Sequence, residues 1–208
     1  MDQPTVIDEP TRAELLGLGT ATLYEASGLD CELAAALRPA WAGARLCGVA
    51  LPVRTGPGDN LALHRAVAAA RPGEVLVVDA LGRPHGHWGE VLAVAAATRG
   101  VRGLVIDGGV RDTARLAALD FPTFASSIAV TRTAKADPGV VGEPVVVAGR
   151  LVARGDVVVA DADGVLVLPA DALTPVLVRA RARTAKEDAF LERIRAGEST
   201  LDLYGLGR

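Results

Sequence analysis

The chain has 208 residues, 22 Lys and Arg against 25 Asp and Glu, a formal net charge of -3, and a 50% apolar composition. That size suits one domain, 1–208, with a sizeable core. The weakly acidic balance, with no long basic run, argues against nucleic acid as the main partner. No apolar run reaches the roughly 20 residues of a membrane span. The opening Met1-Asp2-Gln3-Pro4-Thr5 lacks the basic and apolar regions of a signal peptide. Cys31 and Cys47 have no paired spacing and read as free thiols. A cytoplasmic protein away from membranes is the expectation.

The first 40 residues read as helical. Thr11 to Leu18 follows Pro10, Ala21 to Ala26 continues, Gly28 and Asp30 interrupt, and Cys31 to Leu37 is a third short helical piece before Pro39. Arg45 to Val53 is β-like. After the loop Thr55 to Asp59, either Asp59 or Asn60 can cap a helix over Leu61 to Ala70. His64 lies in that helix as a structural histidine. Arg71-Pro72-Gly73 ends it, and Glu74 to Asp79 reads as a strand buried on both faces. A loop follows, Ala80 to Trp88, then a helix from Gly89 through Thr98. His85 and His87 have no further His or Cys at ligand spacing, so they read as a polar loop lining a cleft mouth.

The next unit repeats that order. Leu104 to Ile106 reads as a short buried strand, Asp107-Gly108-Gly109 as a turn, and Thr113 to Leu119 as a helix. Two such units in succession imply parallel strands whose helix starts lie side by side at one sheet edge. Ligands bind at that edge in open α/β sheets. The geometry brings the amides of Gly89, Glu90, Val91 and Leu92 near Arg111 and Asp112. Free amides at a helix start favour anions, Arg111 offers a planar fork for a carboxylate, and Asp112 offers a hard oxygen to a divalent cation. From this segment alone a simpler reading stays open: a tight turn, a first-turn carboxylate favoured by the helix dipole, and a solvated arginine.

Phe121 to Ala125 is a further strand, and Ile128 to Pro138 is looser. Pro144 to Val147 and Asp156 to Ala160 are β-rich, with turns at Ala148-Gly149-Arg150 and Asp161 to Gly164, the latter leading into Val165 to Leu168. This half reads as antiparallel hairpins, with Asp161 and Asp163 as turn formers. Asp171 to Ala196 is a long charged helix, with Pro175 as a point where it could break, and the tail runs to 208. The chain has no P-loop, no dinucleotide fingerprint and no nucleophile elbow. With only Lys135 and Lys186 available, a Schiff-base mechanism would fall to Lys135. Arg111, Asp112, the helix-start amides and the nearby acid Glu90 instead suit enolate chemistry on a small 2-oxo acid.

Six blocks now occur in order: Gly58-Asp59-Asn60-Leu61-Ala62-Leu63-His64-Arg65, Pro72 to Asp79, Trp88-Gly89-Glu90, Val105 to Asp112, Phe121 to Ala125, and Ala160 to Val165. Together they resemble the 4-hydroxy-4-methyl-2-oxoglutarate aldolases, which group with the regulator of ribonuclease activity A (RraA)-like proteins. The resemblance implies an α/β fold, a swivelling β/β/α domain with a layered mixed sheet and helices at both ends, assembled as homotrimers or hexamers. It implies magnesium or manganese at Asp112, largely through waters, and substrate held by Arg111 and the backbone of Gly89 to Leu92. The implied reaction cleaves 4-hydroxy-4-methyl-2-oxoglutarate or 4-carboxy-4-hydroxy-2-oxoadipate to pyruvate and a second 2-oxo acid, with oxaloacetate decarboxylation beside it. Glu90 or an acid from a neighbouring subunit, Glu25 or Glu187, would orient the water that moves the proton. His85-Gly86-His87 departs from the less polar loop expected before Trp88. The Gly-Gly-Val-Arg-Asp motif is shared across the superfamily, so a non-catalytic regulator of ribonuclease E is the alternative.

Overall fold

The computed structural model describes residues 7–207. In chain order its elements are α1 (Glu9–Ser27), β1 (Arg38–Pro39), β2 (Leu46–Arg54), α2 (Leu61–Ala69), β3 (Glu74–Asp79), α3 (Glu90–Thr98), β4 (Gly103–Val110), α4 (Thr113–Ala118) and β5 (Thr123–Ile128). Then come β6 (Val140–Val141), β7 (Val145–Val147), β8 (Arg150–Val152), β9 (Val157–Ala160), β10 (Val165–Leu168), α5 (Leu173–Arg195) and α6 (Thr200–Leu203). The main sheet runs β1-β5-β4-β3-β2-β9-β10, with β6 also on β2. β2, β3, β4 and β5 run parallel to one another, β1 and β6 add antiparallel pairs on β5 and β2, and β9, antiparallel to β2, leads into a hairpin with β10.

Strand alternation decides the layers. Leu51 and Val53 of β2, Leu76 and Val78 of β3, and Leu104 and Ile106 of β4 join α2, α3 and α4 in one apolar cluster. The intervening residues Ala50, Val75, Val77, Val105 and Phe124 face the two-stranded β7–β8 ribbon. Both faces are covered, so these strands read as continuous apolar runs. The result is a β/β/α sandwich of ribbon, sheet and helices. The kinked α1 and α5 pack together over β9 and β10, forming a third cluster with Leu15, Leu23, Val176 and Leu177.

Four sequence expectations need correction. Cys31 to Leu37 is not helical: Glu32 bridges Leu166, and the Leu33 amide donates to the Val165 carbonyl at 2.9 Å, so the chain lies along β10. Edge pairing there outweighs a helical propensity too short to nucleate. Asp107-Gly108-Gly109 is not a turn but continues β4 through a bulge between Ile106 and Gly109. A Cβ on Gly109 would sit 2.5 Å from the His85 carbonyl oxygen, and one on Gly108 would sit 2.7 Å from Ala80 Cβ. These glycines therefore admit a crossing loop. Third, His87 does not line a mouth; it is fully buried. Fourth, Pro175 does not break α5, because it stands in the first turn, where a missing N–H costs nothing.

Candidate functional site

The site forms where β4 ends and α3 begins. Arg111 is fixed first through its backbone: its N–H donates to the Trp88 carbonyl at 2.9 Å, and Trp88 bridges Val110. Trp88 is itself an anchor, fully buried and stacked on Phe121 with centroids 5.8 Å apart. Asp112 then takes φ 58° and ψ 33°, the left-handed conformation. Aspartate tolerates that region better than most residues, yet single positions held there store strain and cluster at functional sites.

That turn points the Asp112 carboxylate away from its own helix. It makes no side-chain cap to α4. Its Oδ2 instead accepts the Glu90 N–H at 3.1 Å, the first amide of the neighbouring α3. Arg111 Nε lies 3.7 Å from the same oxygen. Both side chains are partly exposed, at 47% and 40%, so the pair contributes little to stability and remains open to a ligand. Gly89 makes the arrangement feasible. Its backbone is extended, so glycine is not needed for its angles. It is needed for space: a Cβ there would sit 2.4 Å from Asp112 Oδ2 and 3.1 Å from Arg111 Cγ.

Arg111, Asp112, Gly89 and Glu90 are thus brought together. Of the next residues on α3, Val91 faces outward at 78% exposure and Leu92 is buried, so they bring backbone rather than side-chain groups. Glu25 and Glu187 meet elsewhere in the chain. Each forms an ion pair with the Arg183 guanidinium at 2.6 Å, bridging α1 and α5. Lys135 is exposed on the loop after β5, an unpromising place for a nucleophilic lysine, which is activated by desolvation.

The donor set suits a hard cation only in one way. Among the described residues no three His, Cys, Asp or Glu side chains stand together as a metal cluster. Asp112 keeps one oxygen free of the Glu90 contact, and the Glu90 carboxylate follows on the adjacent helix turn. One or two carboxylates with a shell of waters is how magnesium is usually held.

Two features escaped the sequence reading. Arg54, Asp79 and Asp107 stand side by side in register at the ends of β2, β3 and β4. Burial, and then the neighbouring Asp107, push the Asp79 carboxyl above its usual range. An aspartate closing each of two successive apolar runs was the available signal. Beyond them lies a cleft of about 300 Å³ between the Thr55 to Pro57 loop, Leu81 and Asp137 to Val140. The second feature is His87. Both of its ring nitrogens lack a hydrogen-bond partner, and burial pushes its pKa down, keeping the ring neutral.

Comparison with known proteins agrees with this architecture. Residues 5–167 match the family model described as RraA-like, Aldolase/RraA, and the chain belongs to that family. A Halalkalibacterium halodurans protein with the provisional name 4-hydroxy-4-methyl-2-oxoglutarate aldolase is 34% identical over 159 residues, 76% of each chain. An uncharacterised Pseudomonas syringae protein of known structure superposes with a TM-score of 0.84 at 25% identity, covering 98% of this chain and all of that one. Streptomyces coelicolor RraAS2, described as an unusual member of the RNase ES inhibitor RraA family, gives 0.79 at 27% identity over 91% of this chain and all of its own. Among the described residues no helix is long and apolar enough to cross a membrane.

Proposed function

We propose that this chain is a single-domain, divalent-metal-dependent aldolase that cleaves a 4-hydroxy-2-oxo acid to pyruvate and a second 2-oxo acid. One observation carries the reading: a strained aspartate, kept off its own helix, is held with an arginine at the start of α3. The aldolase names of relatives support the substrate class, with 4-hydroxy-4-methyl-2-oxoglutarate and 4-carboxy-4-hydroxy-2-oxoadipate as candidates.

In this reading the substrate's 2-oxo carboxylate lies against Arg111 and the α3 amides from Gly89 to Leu92. Asp112 would hold magnesium or manganese, and the bound ion would supply electrophilic stabilisation of the developing enolate oxygen. Arg111 adds a fixed positive charge on that oxygen. Glu90, or Glu25 or Glu187 of a neighbouring copy, accepts the proton of the 4-hydroxyl through a water. The C3–C4 bond breaks, its electrons pass into the 2-oxo group, and C3 of the enolate takes back a proton to give pyruvate. Oxaloacetate would lose carbon dioxide through the same enolate. The working unit is a homotrimer or hexamer.

Arg111→Ala and Asp112→Ala test the assignment. Each should lower kcat/KM for pyruvate release by about 100-fold or more, the scale of losing one group aimed at the developing charge. Near-normal turnover in a folded variant would remove that residue from the mechanism. RraAS2's description motivates a second arm. A chain that releases no pyruvate but lowers ribonuclease E activity in a mixed assay is a regulator.

A further inference from the structure

The start of α2 carries two residues that do more than begin a helix. Asp59 is 4% exposed. Its Oδ1 accepts the Leu61 amide at 2.8 Å, and its Oδ2 accepts the amides of Ala136 and Asp137 at 2.6 and 3.1 Å. Burial pushes its carboxyl up, but these amides and nearby Lys135 outweigh burial and keep it below the usual range. Backbone bonds reinforce the tie: Asn60 N–H to Ala134 carbonyl at 3.1 Å, and Ala134 N–H to Gly58 carbonyl at 2.9 Å. Asp59 therefore fastens the segment after β5 as a strap.

Asn60 stands at the helix cap but its side chain does not cap. It turns instead to a carbonyl 27 residues away, donating from Nδ2 to His87 O at 3.0 Å. At 6% exposure this bond is shielded from water. The strap and the His87 loop then converge. Gly86 N–H donates to the Thr131 carbonyl at 2.8 Å. A Cβ on Gly86 would lie 2.9 Å from the Ala129 carbonyl oxygen and 3.0 Å from Arg111 Cδ. The aliphatic stem of Arg111 thus rests against the point where loop and strap meet.

We propose that Asp59 and Asn60 are positioning residues: a two-sided latch on α2 that fixes the strap and the 85–89 loop, and through them Arg111 and the Gly89 helix start. The role assumes the reading of Arg111 as the substrate-binding group. Neither latch residue touches Arg111; they act through the backbone on which it rests. Displacement of a binding group by about an ångström can cost on the order of 100-fold in rate.

The test uses the full chain. Asn60→Ala removes one side-chain bond, and Thr20→Ala removes a bond of similar kind to Asp161 in the α1 region. Two readouts are compared at matched loss of Tm. For Asn60→Ala, kcat/KM for magnesium-dependent pyruvate release should fall about 10-fold to 100-fold, while Thr20→Ala keeps the wild-type value. Amide exchange of residues 86–90 should quicken about fivefold to tenfold in Asn60→Ala alone, the scale of one net hydrogen bond. Wild-type exchange in that segment, or equal kinetic losses in the two variants, would overturn the latch. Should the wild-type chain release no pyruvate, the aldolase reading fails, and the exchange data still decide whether the latch holds the loop.

Discussion

The end of the parallel sheet and the α1–α5 pair are built by different rules. The helix pair follows ordinary ones. Leu15, Leu23, Val176 and Leu177 meet in an apolar cluster, and the solvent side carries ion pairs such as Arg181 with Glu14 at 2.5 Å. A half-buried carboxylate joins it to the sheet: Asp161 accepts the Thr20 amide at 2.8 Å and the Thr20 hydroxyl at 2.6 Å, restarting α1 after Gly19 leaves helical geometry. The sheet end departs from those rules. It spends glycine on close approach at 86, 89, 108 and 109, holds Asp112 at positive φ, and buries His87 with unpartnered nitrogens. Local conflicts of this kind concentrate at functional sites, where other contacts compensate for them. The same contrast supports the candidate site at the sheet end without reference to a relative.

Substitutions can break that contrast, beginning with the largest effect. Trp88→Ala should cost about 3 to 5 kcal/mol, the usual range for emptying a buried aromatic site, measured by urea denaturation. It should also abolish activity, since the buried indole anchors the segment whose carbonyl accepts the Arg111 amide. Gly89→Ala should leave Tm within a few degrees yet lower kcat/KM about 100-fold, because its methyl group would displace Asp112 from the α3 start. Equal activity would show that the close contact has no catalytic purpose.

On the other side of the comparison, Asp161→Ala should cost about 1 to 2 kcal/mol, as for loss of a helix cap, with kcat/KM unchanged. Its pH dependence has a definite sign. Burial pushes the Asp161 carboxyl up, but bonds from Thr20, Asp163 and Gly164 outweigh it and leave the folded value below the unfolded one. The stabilisation is therefore complete above the unfolded value near 3.8 and fades as pH falls through the lower, folded one. Wild type and Asp161→Ala should converge in stability in strong acid. The smallest effect belongs to Glu14→Ala. Its exposed pair with Arg181 should contribute little to stability, and that little should vanish in roughly 1 M salt.

Much of this was legible in the residues. Doubly buried strands, paired strand–helix units and the meeting of Arg111 with the α3 start all follow from apolar runs, glycine breaks and parallel topology. What was not legible depends on contacts between distant segments. Gly108-Gly109 looks locally like a turn, and only the crossing of the 85–87 loop makes it a bulged strand. Cys31 to Leu37 has helical composition, but β10 offers an open edge. Asp161 looks like a turn former, yet it caps a helix 141 residues earlier. Asn60 looks like a helix cap, yet its amide serves a loop. Short polar side chains can satisfy many backbone groups, and sequence does not say which one.

The most direct measurement is pyruvate release by the purified chain from 4-hydroxy-4-methyl-2-oxoglutarate and from oxaloacetate, with magnesium and then with excess EDTA. Metal-dependent release that EDTA abolishes and magnesium restores is the predicted result. A folded chain that releases pyruvate from neither substrate with magnesium present, or releases it undiminished in EDTA, would contradict the metal-dependent aldolase assigned to Arg111 and Asp112.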